Sequence, residues 1–219
     1  MTATQPLRIA IFGASGSIGS AIAAEALARG HAVVAVAREP SRVKGRHERL
    51  TIVTGDVTDA ACVAQVAADC DAVVSAVGGA AEGRPEVVVD AARALVDGVS
   101  AGGRARLLVV GGAGSLEHPA GGTVSSQPGF PDAWKPSSHA QGRALEVFRE
   151  AGDAVDWTYL SPAHVIEPGE RSGTYRTGGD ALVVDDAGES RITIPDYAVA
   201  AVDELERPRH RGRRFTIGY

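Results

Sequence analysis

The sequence predicts an α/β fold: a doubly wound parallel sheet with helices on both faces and a small C-terminal β appendage. Three observations carry that expectation. Short apolar runs rich in Ile and Val alternate with Ala-rich stretches of helical length, the pattern of right-handed βαβ crossovers. Aromatic side chains make up only 5% of a chain that is 44% hydrophobic, so the core must be filled by Ala, Val, Ile and Leu, as buried parallel strands are. The length of 219 residues suits one domain of ordinary size, and residues 1–219 contain no internal repeat or linker that would divide them.

The elements follow in order. A first strand is expected at residues 7–12, where Ile9, Ile11 and Phe12 precede a glycine-rich turn and a helical run through 20–29. The unbroken apolar run 32–37 is a second strand, and 50–54 a third; Thr58 or Asp59 then offers a side-chain cap for the next helix. Residues 72–76 form the fourth strand, and Pro85 suits the first turn of a helix reaching about Ala101, because its missing N–H costs nothing there. Residues 106–110 and 156–160 complete six parallel strands. From Arg171 the pattern changes. Residues 173–176 and 181–185 look like short strands around the Gly178–Gly179 turn, with another turn at 186–188. Pro195 opens a helix through about Leu205, and 213–217 closes the sheet.

Composition removes several function classes. A formal net charge of −5 disfavours nucleic acid as a partner, since neutralisation of phosphates supplies most of that affinity. The longest apolar runs are of strand length and residues 1–6 are polar, so a membrane is not expected and the cytoplasm is. Cys62 and Cys70, eight apart in a helix-like stretch, match neither a metal motif nor a disulfide framework; no metal site is expected, and both are read as reduced. A small molecule is the remaining partner class.

Chemistry starts at the first turn. Gly13, Ser15, Gly16, Ser17, Ile18 and Gly19 lie between the first strand and its helix, where a dinucleotide would sit. Gly13 permits the tight turn, Gly16 lets backbone approach a pyrophosphate, and Gly19 lets helix pack on strand, while the helix N-terminus supplies oriented N–H groups. The unit predicts a Rossmann-type domain. Its spacing, Gly-x-x-Gly-x-x-Gly, resembles the extended and atypical members of the short-chain dehydrogenase/reductase superfamily. The likeness continues through Gly55-Asp56-Val57, Ser75-Ala76-Val77-Gly78, Gly111-Gly112-Ala113-Gly114-Ser115 and Leu160-Ser161-Pro162-Ala163, each following its strand in the family's order. By that resemblance Asp56, with Val57 beside it, bonds the adenine amine; Ala76, Val77 and Gly78 line the adenosine ribose; the backbone of Ser161, Pro162 and Ala163 faces the nicotinamide. Ser115 falls where the superfamily keeps its catalytic serine, although a loop serine after a glycine run is also common. A solvated turn carboxylate is the plain alternative for Asp56.

Arg38 directly follows the second strand and can fork onto a ribose 2′-phosphate, which favours NADP(H) over NAD(H); the adjacent Glu39 suits a free 2′-hydroxyl. What is missing is as informative. The superfamily reduces carbonyls with a Tyr-x-x-x-Lys pair, but Tyr159, Tyr175, Tyr197 and Tyr219 are followed four places on by Ala163, Gly179, Ala201 and the chain end. An acceptor that needs little help with protons is implied, and flavins qualify because hydride passes directly between nicotinamide and isoalloxazine. With its closing run Gly178-Gly179-Asp180 through Glu189-Ser190-Arg191 and Pro195-Asp196-Tyr197-Ala198 carrying part of the likeness, the chain also resembles small bacterial NADH-flavin reductases and the flavin/biliverdin reductases. An NAD(P)H-dependent flavin reductase is therefore expected. An NADP(H)-sensing regulator is the first alternative, and a nucleotide-sugar epimerase the weaker one.

The remaining candidates lie in the segment 115–138, which is long for a βα connection. It holds Phe130 and Trp134, which could stack on a flavin or anchor the loop, and Lys135, which could attract a flavin's negative charge. His118 and His139 are read as ordinary loop or helix-start residues, and the arginines between 207 and 214 as a solvated basic turn.

Overall fold

The Val- and Ile-rich runs pair edge to edge in the computed structural model, which describes residues 5–79 and 83–219. The strands are β1 (Arg8–Phe12), β2 (Ala32–Ala37), β3 (Leu50–Thr54), β4 (Ala72–Ser75), β5 (Arg106–Val110), β6 (Trp157–Ser161), β7 (Val165–Glu167), β8 (Arg176–Gly178), β9 (Arg191–Thr193) and β10 (Arg213–Gly218). The helices are α1 (Ser17–Ala28), α2 (Ala60–Ala67), α3 (Val87–Gly102), α4 (Lys135–Ala151) and α5 (Ile194–Glu206). Among the described residues the main sheet runs β3-β2-β1-β4-β5-β6-β10-β8, parallel throughout except where β8 meets β10. This is the Rossmann-type α/β architecture that the alternating pattern predicts.

Period-two alternation divides the core between the two faces. Phe12, Val34, Val36, Val73, Leu107 and Tyr159 pack against α2, α3 and α4. Ile9, Ile11, Val33, Val74, Leu108 and Phe215 pack against α1 and α5. Asp59 caps α2, accepting from the N–H groups of Ala61 and Cys62, and Thr193 caps α5 by accepting from that of Asp196.

The differences from expectation are local. α1 starts at Ser17, one turn early; β4 ends at Ser75; β6 lies one residue later than 156–160. Pro85 stands ahead of α3, which begins at Val87, so the proline shapes the entering turn. Cys70 falls beyond α2; both cysteines are free thiols. The apolar run 181–185 is not a strand. Leu182 donates its N–H to Glu117 O and joins Leu116 and Val124 in a small satellite cluster, so this run covers the sheet edge instead of extending it. Of the expected pair, only β8 forms, shifted to Arg176–Gly178 and added antiparallel to β10. The small extra sheet is instead the parallel pair β7 and β9. No helix of the described residues is long and apolar enough to cross a membrane. No group of three or more His, Cys, Asp or Glu among them could hold a metal ion.

Candidate functional site

β1 pairs with β2 on one side and β4 on the other, so the chain reverses its winding at β1 and leaves a crevice at the carboxyl ends of the strands. That crevice is an open cleft of about 210 Å³ lined by Gly13, Ser15, Gly16, Arg38, Asp56, Val57, Ala76, Val77 and Gly78, together with Arg42, Thr58 and Arg84. Two of its glycines serve the protein's own packing or conformation. Gly13 has φ +82°, and a Cβ there would stand 2.5 Å from Ala76 O; at Gly19, just behind the cleft, a Cβ would stand 2.2 Å from Gly13 O. Gly16 is different. Its φ is −81°, and a Cβ would meet only Gly13 O at 3.4 Å, an ordinary contact. A Cβ on Gly78 would meet no atom of the described residues within 4 Å. Space at Gly16 and Gly78 is thus kept by glycine where no atom of the described residues requires it. Gly16 is also the N-cap of α1, which has no side-chain cap and no acidic residue in its first turn, so the N–H groups of Ser17, Ile18 and Gly19 form the positive end of a 12-residue helix.

The rim of the cleft is charged. Asp56 Oδ1 accepts from Thr58 N at 2.9 Å and Thr58 Oγ1 at 2.8 Å. The Thr58 N–H, its hydroxyl and the charges of Arg38 and Arg84 hold the Asp56 carboxyl below the usual range against the effect of burial. Arg42 stands 3.8 Å from Glu39, and among the described residues three guanidiniums share this rim with two carboxylates. Arg42, Thr58 and Arg84 carry no local sequence signal; topology alone brings them here.

The loop after β5 explains its glycines by close approach. A Cβ on Gly111 would stand 2.0 Å from the Tyr159 ring, one on Gly112 3.1 Å from Gln141, and one on Gly114 1.8 Å from Ser138 Oγ. Ser115 Oγ accepts from Arg214 Nη1 at 2.8 Å, and Arg214 Nε donates to Asp180 at 2.7 Å. Ser115 is therefore tied to β10 and is not among the residues lining the cleft. Ser161, Pro162 and Ala163 have buried side chains; Ser161 Oγ donates to Gly112 O at 2.9 Å and Pro162 O accepts from Thr216 Oγ1, which fixes the end of β6 against the glycine loop.

All four tyrosine hydroxyls are committed elsewhere. Tyr159 donates to Gln141 O or Oε1, Tyr175 to Asp203, Tyr197 to Leu160 O and Tyr219 to Asp196. Burial pushes the Tyr159 and Tyr197 phenols well above their ordinary value. None is placed to pass a proton at the cleft.

In the segment between β5 and α4, Phe130 is half-buried against the Leu116, Val124 and Leu182 cluster. Trp134 is 56% exposed and sets its ring edge to Phe130, with centroids 6.2 Å apart and planes at 80°. His164, directly after Ala163, also approaches Phe130, with ring centroids 6.4 Å apart. Lys135 is paired with Asp132 at 2.6 Å. Phe130 and Trp134 thus stand together, joined by a histidine that the sequence reading passed over, while the Lys135 charge is turned to a neighbouring carboxylate.

A profile of the NAD(P)H-binding family matches residues 13–205. Among solved structures, a protein of Bacteroides thetaiotaomicron described as a candidate epimerase is 39% identical, with TM-score 0.89 and 98% of both chains covered. A candidate exported protein of Burkholderia pseudomallei is 43% identical, with TM-score 0.87, over 97% of this chain and 100% of that one. A candidate NADH-flavin reductase of Streptococcus pneumoniae is 30% identical, with TM-score 0.86, over 97% of this chain and 99% of that one.

Proposed function

The chain belongs to the NAD(P)H-binding family, and from that premise we propose that it is an oxidoreductase taking hydride from NADPH to a flavin or another planar acceptor. The observation that carries the cofactor half is Gly16: a glycine at a helix N-cap, lining the cleft, that no protein contact demands. A pyrophosphate is the group that needs bare backbone at that spot. On this reading the first turn of α1 binds the pyrophosphate, Asp56 and Val57 hold the adenine side, and Ala76, Val77 and Gly78 line the ribose. Arg38, with Arg42 and Arg84 on the same rim, meets the 2′-phosphate, and a guanidinium fork that matches a phosphate favours NADPH over NADH. The cofactor supplies hydride, and the protein supplies position.

The acceptor half rests on the four committed tyrosine hydroxyls. An acceptor that takes its proton from solvent suits a site without a phenol, and the exposed Trp134 ring beside Phe130 offers it a flat surface. Ser161, Pro162 and Ala163 present backbone to the nicotinamide side, and Ser115, whose Oγ accepts from Arg214 and keeps its own O–H to donate, is the candidate catalytic hydroxyl. The description of the Streptococcus pneumoniae neighbour agrees with the acceptor class. The same missing proton relay favours a second reading, a sensor that binds NADPH without turning it over. The Bacteroides thetaiotaomicron description points to epimerisation, which the absent Tyr-Lys pair weighs against in this chain. Following NADPH absorbance with and without FMN decides: oxidation on adding FMN is expected. Tight binding with unchanged absorbance across FMN, riboflavin and a quinone would establish the sensor instead.

A further inference from the structure

A second cavity of about 200 Å³ opens where α5 ends and β10 begins, on the amino side of the parallel strands and away from the cofactor cleft. Its frame is made of charges that satisfy one another. Glu204 is almost fully buried and accepts from Arg106 Nη2 at 2.6 Å and from the backbone N–H groups of Arg209 and His210, both at 3.0 Å; its other oxygen pairs with His210 Nδ1 at 2.8 Å. These bonds fix the loop and lay the His210 imidazole flat on the Phe215 ring, with centroids 4.0 Å apart and planes 7° from parallel. Asp203 is also spent, with Arg29 on Oδ1 at 2.6 Å and the Tyr175 hydroxyl on Oδ2 at 2.6 Å. Two cations are left at the rim. Arg207 lies 4.0 Å from the already paired Asp203, and the Arg209 side chain has no ion pair or hydrogen bond among the described residues.

We propose that this cavity binds a small organic monoanion: a carboxylate on a flat apolar body. Arg207 and Arg209 take the carboxylate, since a guanidinium fork matches its two oxygens. The half-buried His210 ring, backed by Phe215, receives the body together with the half-buried Tyr175 ring and the exposed Thr177. A phosphate dianion fits poorly. The cavity faces the C-terminal, negative end of α5 and has Asp203 and Glu204 in its wall, so each extra negative charge on the ligand adds repulsion that two arginines do not cover. The site is independent of the cofactor reading, because it shares no residue with the cleft.

The test uses the whole protein and benzoate as probe, with benzyl alcohol and inorganic phosphate alongside, followed through the imidazole C–H signals of His210 by NMR. Saturable shifts with benzoate are expected, with none from benzyl alcohol. Arg207→Ala combined with Arg209→Ala should weaken benzoate by about tenfold or more while leaving NADPH affinity unchanged. Both arginines are exposed, so this variant keeps the fold. Shifts that fail to saturate, that benzyl alcohol reproduces, or that survive in the double variant overturn the site. Phosphate binding tighter than benzoate overturns the monoanion assignment.

Discussion

The β1–β4 end of the sheet and the β6–β10 end are held by different means. Around the cleft, β1, β2 and β4 bury little besides Ile, Val, Ala and Phe, and the approaches are made by glycine and backbone. At the other end, Arg106, Thr158, Ser161, Ser190, Asp196, Glu204, Arg214 and Thr216 are all buried, and each bonds to another part of the chain. The difference teaches what each end is for. A wall that leaves its backbone donors unspent has them to offer a ligand, whereas the other end spends its buried side-chain donors on the chain itself, Arg106 Nε and Trp157 Nε1 excepted among the described residues.

The sharpest way to break this comparison is one substitution on each side. Gly16→Val should abolish NADPH binding, because a branched side chain would fill the pyrophosphate cradle, while the melting temperature stays near the parent's, since a Cβ there meets only Gly13 O. A variant that folds and binds NADPH like the parent would place the phosphate elsewhere.

Asp196→Ala should do the reverse. Its buried carboxylate accepts from Ser172 Oγ at 2.6 Å, Gly173 N at 2.7 Å and Tyr219 Oη at 2.5 Å, so removal should cost about 3 kcal/mol of stability with cofactor affinity intact. Denaturant unfolding measures it. The same group sets a pH dependence. Burial alone would raise its pKa, but the bonds from Ser172, Tyr219 and Gly173 hold it below 3.8. A depressed folded-state value means that its stabilisation is present in full above the unfolded value and fades as pH falls through the folded one. Glu204, lowered from 4.5 by Arg106 and His210 against its own burial, acts the same way. Acid unfolding should therefore be less steep in Asp196→Asn than in the parent.

Smaller effects refine the cleft itself. Arg38→Ala should weaken NADPH by about 1.5 to 3 kcal/mol and leave NADH nearly unchanged; equal losses for both would show that the rim does not read the 2′ position. Smallest is Trp134→Ala, expected to raise the Michaelis constant for flavin several-fold. A large drop in melting temperature with unaltered flavin kinetics would make Trp134 an anchor for the loop, as the half-buried Phe130 is.

Legibility in the sequence follows the same division. β2, β3 and β5 lie where apolar patterning puts them, and the first glycine loop is readable because Gly13 and Gly19 answer local geometric needs and Gly16 stands at regular spacing between them. The β7–β9 pair escaped notice because three-residue strands such as Val165–Glu167, mostly exposed, leave no periodicity to detect. The run 181–185 has strand composition, but Leu182 is drawn into the cluster with Leu116 and Val124. Arg42, Arg84 and His164 could not be found locally, since what makes them neighbours of the site is the strand order, which no window of sequence contains.

One feature of the cleft reaches beyond its chemistry. Its lining runs from Phe12 to Val87 and draws on four separate strand ends, with Gly13 resting on Ala76 across 63 positions of chain. The unfolded chain holds no fragment of such a site, so a ligand that fits it binds the native state alone. By mass action, a free cofactor concentration a hundredfold above its dissociation constant adds about 2.7 kcal/mol to the native state, and depletion withdraws it. The lifetime of this protein against unfolding and proteolysis should thereby follow the concentration of free dinucleotide around it.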